Sequence, residues 1–212
     1  MHVESLFTEA VRARVREAVR RAEALSRGQI VPVVVERSGP YPEARFRGGL
    51  LLAALATGVV LVLQLPLGLS ELALLQVAAG ALGALSSLWA PVERLLVGGA
   101  TEEAVRARAE RAFHEEGLHR TAEGTGVLLF ASLLERRAVV LGDRGIHEKM
   151  GDGEWDRAVS ALVAGMRAGD PGRGFVDAVA LCGARLAAHF PRDPAAKASP
   201  NELEDAIRVE RE

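Results

Sequence analysis

"TGVLLFASLLERRAVVLGD", residues 125–143, places two short apolar runs on either side of Glu135, Arg136 and Arg137. Each run is too brief for a stable helix, and the charged triplet between them has turn chemistry, so the stretch predicts a β-hairpin. Its two strands then pair antiparallel. Upstream, "QIVPVVVE" at 29–36 is a third strand by the same reasoning, rich in β-branched residues. Pro32 has no N–H to give a ladder, which predicts an edge position or a bulge there.

Working outward, "SLFTEAVRARVREAVRRAEALSR" at 5–27 sets Phe7, Val11, Val15, Val19 and Ala22 on one stripe at helical spacing, with Arg and Glu on the other side. Ser5 and Thr8 are candidate N-caps, and Gly28 is the expected stop. "TEEAVRARAERAFHEEG" at 101–117 repeats that pattern, with Val105, Ala109, Ala112 and Phe113 as its stripe. Two further helices are expected over 154–168 and 174–190, separated by "GDPGRG". The order is therefore αβ, then αββαα. Strands 1 and 2, joined through a helix, should run parallel. The fold class is α/β, a small mixed sheet packed by helices.

The two parts are separated by "GGLLLAALATGVVLVLQLPLGLSELALLQVAAGALGALSSLWAP", residues 48–91, in which Glu71 is the one charge. A membrane span needs about 20 apolar residues, and 48–69 and 72–90 each come close. Neither has the polar face of an amphipathic core helix. Pro66, Gly68 and Ser70 mark the turn between them. This predicts a transmembrane hairpin inserted after the first strand, with a lipid bilayer as its partner. Gly80 with Ala84, and Ala54 with Gly58, have the spacing that lets membrane helices approach closely. The expected organisation is 1–47 and 92–190 as two parts of one α/β domain, 48–91 as the hairpin, and 191–212 as a flexible acidic tail.

Arg45 and Arg47 precede the first span and Arg94, Arg106 and Arg108 follow the second, while the turn has no Lys or Arg. The positive-inside rule then places both termini and the α/β domain in the cytoplasm, anchored to an inner membrane. Residues 1–14 carry Glu4 and Glu9 and no apolar core, so no cleavable signal peptide is expected there. The 26 Lys+Arg against 28 Asp+Glu give a net charge of -2, which argues against a nucleic-acid surface. A single cysteine, Cys182, excludes an intramolecular disulfide. It falls on an apolar helix face and is expected to be a core residue.

The ordered set "AEALSRGQIVPVVV", "GTGVLLFASLLERRAVVLGDRGI", "GDGEWDRAVSALVAGMRAGDPGRGFVDAVALCGARLAAHFP" and "PNELED" resembles the TPM domain family, whose members include thylakoid-lumen and photosystem-repair proteins. The resemblance implies divalent-cation binding and, in the thylakoid branch, acid phosphatase activity. Gln29 stands where an acidic residue is usual in the family. The spans lie inside the domain rather than at an end, so the resemblance to lumenal phosphatases is partial. A non-catalytic interaction, assembly or quality-control module facing other membrane proteins is the first functional expectation. A metal-assisted hydrolase is the second.

The chemistry, if any, is expected in "LGDRGIHEKMGDGEW", residues 141–155, where a strand leads into a helix. Asp143, Asp152, Glu154 and Asp156 are hard oxygen donors suited to Ca2+ or Mg2+. The same residues also suit caps and the positive end of a helix dipole. Their spacing matches neither an EF-hand nor a zinc pattern. No phosphate-binding loop, dinucleotide fingerprint or serine-nucleophile motif occurs.

Overall fold

The computed structural model describes residues 3–97, 101–121, 123–150, 153–192 and 203–210. Two compact units emerge: 1–39 with 102–212, and 40–101. The boundaries thus lie several residues outside the apolar run, because its flanking arginines and residues 92–97 belong to helices of the second unit.

In the first unit, α1 (Val3–Leu6) and α2 (Glu9–Leu25) lead into β1 (Gln29–Val35). After the second unit come α6 (Thr101–Glu115), β2 (Gly126–Ser132), β3 (Arg137–Gly142), α7 (Arg144–His147), α8 (Asp156–Ala168), α9 (Pro171–His189) and β4 (Arg208–Glu210). The sheet order is β3-β2-β1-β4. β1 and β2 are parallel, with Gln29 opposite Gly126 and Val35 opposite Ser132, and β2 and β3 form the antiparallel hairpin.

Strands β1 and β2 are apolar between Gln29 at the start of one and Ser132 at the end of the other, because both faces are covered. Ile30, Val34, Val127, Leu129 and Ala131 face α2, α8 and α9, in one core with Val15, Val19, Leu162, Phe175 and Val179. Val31, Val33, Val35, Leu128 and Phe130 face α6 and pack on Val105, Ala109, Ala112 and Phe113. A helix-sheet-helix sandwich results. Cys182 is buried in the first core, and burial pushes its thiol up to about 12, as expected of a packing residue.

Two expectations change. Residues 203–210 are not a free tail: β4 pairs parallel with Val33–Val35, and Ile207 is 4% exposed within the first core. β1 is consequently an inner strand beside β4, yet Pro32 still avoids conflict. The amides of Gln29 and Glu36 donate to Thr125 and to Glu210 respectively, so the alternation turns the nitrogen of Pro32 to the β4 side, before β4 begins. The edge reading holds locally.

In the second unit, α3 (Pro42–Val62) and α4 (Leu69–Ser86) are long and apolar enough to cross a membrane, followed by α5 (Ala90–Val97). A Cβ on Gly48 would lie 2.5 Å from the Gly83 carbonyl oxygen, and one on Gly49 would lie 2.9 Å from that of Gly80. These glycines, rather than the Gly80/Ala84 and Ala54/Gly58 pairs alone, set the close approach of the two helices. Gln76 Nε2 donates to Thr57 Oγ1 at 2.7 Å, joining the two helices through their polar side chains. Arg47 donates to the carbonyls of Leu96 (2.9 Å) and Val97 (3.3 Å) at the end of α5.

Candidate functional site

The loop after β3 is built on close backbone packing. Asp143 N–H donates to the Gly126 carbonyl at 2.8 Å, and Asp143 Oδ1 accepts from Arg144 N–H at 2.7 Å, which caps α7. Ile146 is fully buried beneath it. A Cβ on Gly142 would meet Ile146 Cγ2 at 2.7 Å, and one on Gly145 would meet the carbonyls of Glu123 and Gly124 at 2.7 and 2.8 Å. The glycines at 142 and 145 are thus required by contact. Lys149 lies 4.7 Å above the ring of Phe190, which ties the end of the loop to the end of α9.

The acidic candidates are distributed differently from their sequence clustering. Asp143 caps α7. Glu154 pairs with Arg185 of α9 at 3.2 Å, and its Oε2 is buried without hydrogen-bond geometry to any described group. Asp156 is exposed in the first turn of α8, where the helix dipole favours it. Asp152 lies outside the described residues. Among the described residues, no three His, Cys, Asp or Glu side chains converge as a metal-ligand set. Asp143, Glu154 and Asp156 do not fit a divalent-cation cage by themselves.

The position of the loop also differs from expectation. Ligands in α/β folds gather at the carboxyl ends of parallel strands. Gly142 is opposite Val127, so β3, being antiparallel, delivers Asp143 to the amino ends of β1 and β2. At the carboxyl ends lies another polar group. Ser38 Oγ donates to Ser132 Oγ at 2.9 Å, the Ser132 hydroxyl donates to Glu135, and Glu135 Oε1 accepts from Ser38 N–H at 2.8 Å. Both serines are buried. This clamp fixes the chain where it leaves the first unit at 39, and Glu102, where it returns, pairs with Arg137 at 3.0 Å.

A third polar cluster was not anticipated. It surrounds a cavity of about 220 Å³ lined by Arg20, Glu23, Ser26, Gln29, Arg192 and Asp205, beside the amino end of β1. Glu23 Oε1 accepts from Ile30 N–H at 2.8 Å, satisfying an edge amide that β4 does not reach. Burial, more than the adjacent Asp205 carboxylate, pushes the Glu23 carboxyl up to about 7. A sequence signal for it exists: Glu23 is four residues after Val19, on the apolar stripe of α2. Arg108 has the same signature on α6. Read from sequence as a flanking charge, it is only 5% exposed and pairs with Glu115 at 3.1 Å and with Glu210. His114, His119, His147 and His189 are all exposed.

The fold defines a class, an α/β sandwich on a mixed four-stranded sheet interrupted by a pair of apolar helices. The family model of the TPM domain matches residues 92–185. The chain is similar to the TPM domain over that span, and α2 and β1, outside it, complete the same sandwich. Among solved structures it is similar to the NMR structure of the BA42 protein from the psychrophilic bacterium Bizionia argentinensis sp. nov., with a TM-score of 0.58 and 19% identity over 96% of this chain and 94% of that one. At that identity the likeness concerns the fold. No curated protein matches the chain.

Proposed function

We propose that this chain is a membrane-anchored TPM-domain protein whose α/β unit is a non-catalytic interaction, assembly or quality-control module for other membrane proteins. The carrying observation is the second unit: α3 and α4 pack on each other and still expose apolar side chains all round, with Leu61 71%, Val62 81% and Leu69 86% exposed. Such a surface suits hydrocarbon and is costly in water. Arg45, Arg47 and Arg94 at its base, with no basic residue in the turn, support a cytoplasmic α/β unit at an inner membrane. The reading as a polar joint, rather than a hydrolytic centre, is supported by the Asp143 cap and the Glu154–Arg185 pair.

The test joins two measurements on the full chain. Alkaline carbonate extraction of expressing membranes should leave the protein in the pellet, and purified protein should show no hydrolysis of a phosphate monoester above buffer with Mg2+, Mn2+ or Ca2+. Release into the supernatant would remove the anchor. Metal-dependent turnover lost in Asp143→Asn would replace the module with a phosphatase.

A further inference from the structure

We propose that residues 203–210 form a proton-held strap: a proton shared between Glu23 and Asp205 fastens this segment to α2 and to the edge of β1, and loss of the proton loosens β4. Asp205 is buried, and Arg20 Nε meets its Oδ2 at 3.1 Å across the mouth of the cavity. Glu23 Oε1 is occupied by the Ile30 amide, so its second oxygen is the one available to carry a proton to Asp205. In the protonated state both oxygens are satisfied and one negative charge serves the pair. In the deprotonated state two carboxylates face each other in a partly desolvated site, which is unfavourable.

The other charged groups around Glu23 do not cancel this. Arg20 is committed to Asp205, and Arg27, just beyond α2, pairs with Glu123 at 2.7 Å. Arg192, after α9, donates to the main-chain carbonyl of Glu23 at 3.3 Å, and its charge only partly offsets burial. The cavity is roomy enough for water, which gives the proton a path to solvent. Other contacts that fasten the strap are Ile207 in the core, the pairs Arg108–Glu210 and Arg208–Glu116, and the Leu203 amide, which donates to Gln29 Oε1 at 3.3 Å. Among the described residues, none of these fasteners is a histidine, so Glu23 is the group placed to respond near neutral pH.

The direction follows from linkage. Glu23 takes up its proton about 7 in the folded chain against an ordinary value of 4.5, so its contribution to strap docking is complete below the lower value and is lost as pH rises through about 7. The docking equilibrium constant of the strap should fall between pH 6 and pH 8, by up to about tenfold.

The test is hydrogen exchange on the full chain in lipid nanodiscs, with each rate normalised to its intrinsic value at that pH. The Glu36 amide, which donates to Glu210 at 3.2 Å, and the amides of β4 are the reporters. Their protection should drop, by up to about tenfold, from pH 6 to pH 8 while that of β2 stays constant. Glu23→Gln, whose amide still accepts from Ile30 and can donate to Asp205, should keep β4 protected at both pH values. Should that variant not fold, Asp205→Asn carries the test: its drop must move to lower pH. A flat wild-type profile, a Glu23→Gln profile that falls like wild type, or an Asp205→Asn profile unchanged from wild type would each overturn the strap.

Discussion

Asp143 is the residue on which a cation site and a structural joint make opposite demands. As a cap it needs one side-chain oxygen within reach of the Arg144 amide, 2.7 Å away, and asparagine offers the same oxygen. Asp143→Ala should therefore cost about 1 kcal/mol, and Asp143→Asn only a few tenths. Both are read as shifts in the urea midpoint. Millimolar Ca2+ should move the melting temperature no further than matched ionic strength does. A Ca2+ shift abolished by Asp143→Asn would make the loop a ligand site. At this scale the sequence shows which residue types cluster but not where their oxygens point. Asp143, Glu154 and Asp156 are close along the chain, yet one caps α7, one pairs across to α9 and one sits at the start of α8. Glu23 and Arg108 lie on apolar stripes, but their burial was not read from sequence, because their partners Asp205 and Glu210 come from about a hundred or more residues away.

Elements with a complete periodic signal are read reliably, and β4 shows what happens when the signal is short. Ile207 and Val209 alternate with Arg208 and Glu210, a strand pattern, but it covers too few residues to stand out in an acidic segment. Its stability comes from the sheet edge, the arginine pairs and the buried Ile207, all of which are tertiary. Ile207→Ala should lower the stability of the α/β unit by about 2–4 kcal/mol if the strap is integral to the core. Guanidinium unfolding in detergent measures it. A loss below about 0.5 kcal/mol would mean that the strap is merely laid on the surface. The hairpin β2–β3, α2, α6, α8 and α9 needed no such help. Their apolar periods run the length of each element, and the helix boundaries moved by only a few residues where caps such as Asp170 and Ser26 intervene.

The whole molecule consists of one α/β unit assembled from two chain segments, with an apolar helical unit lying between them in sequence. A long insertion is tolerated there because the closure cost of the connection grows slowly with length, and because the Ser38–Ser132–Glu135 clamp and the Glu102–Arg137 pair fix the two points where it joins. Parallel pairing of β1 with β2 requires residues 29–35 and 126–132 on the same side of any bilayer. Cysteine accessibility in intact cells tests this most directly. Buried Cys182 keeps the background low, and single cysteines replace Gly68 in the turn, Arg37 before the hairpin and Arg167 on α8. A membrane-impermeant maleimide should label position 68 and leave positions 37 and 167 unlabelled until the membrane is permeabilised. Labelling of 37 and 167 with 68 protected would reverse the orientation, and labelling of 37 and 167 from opposite sides would contradict the split α/β unit itself.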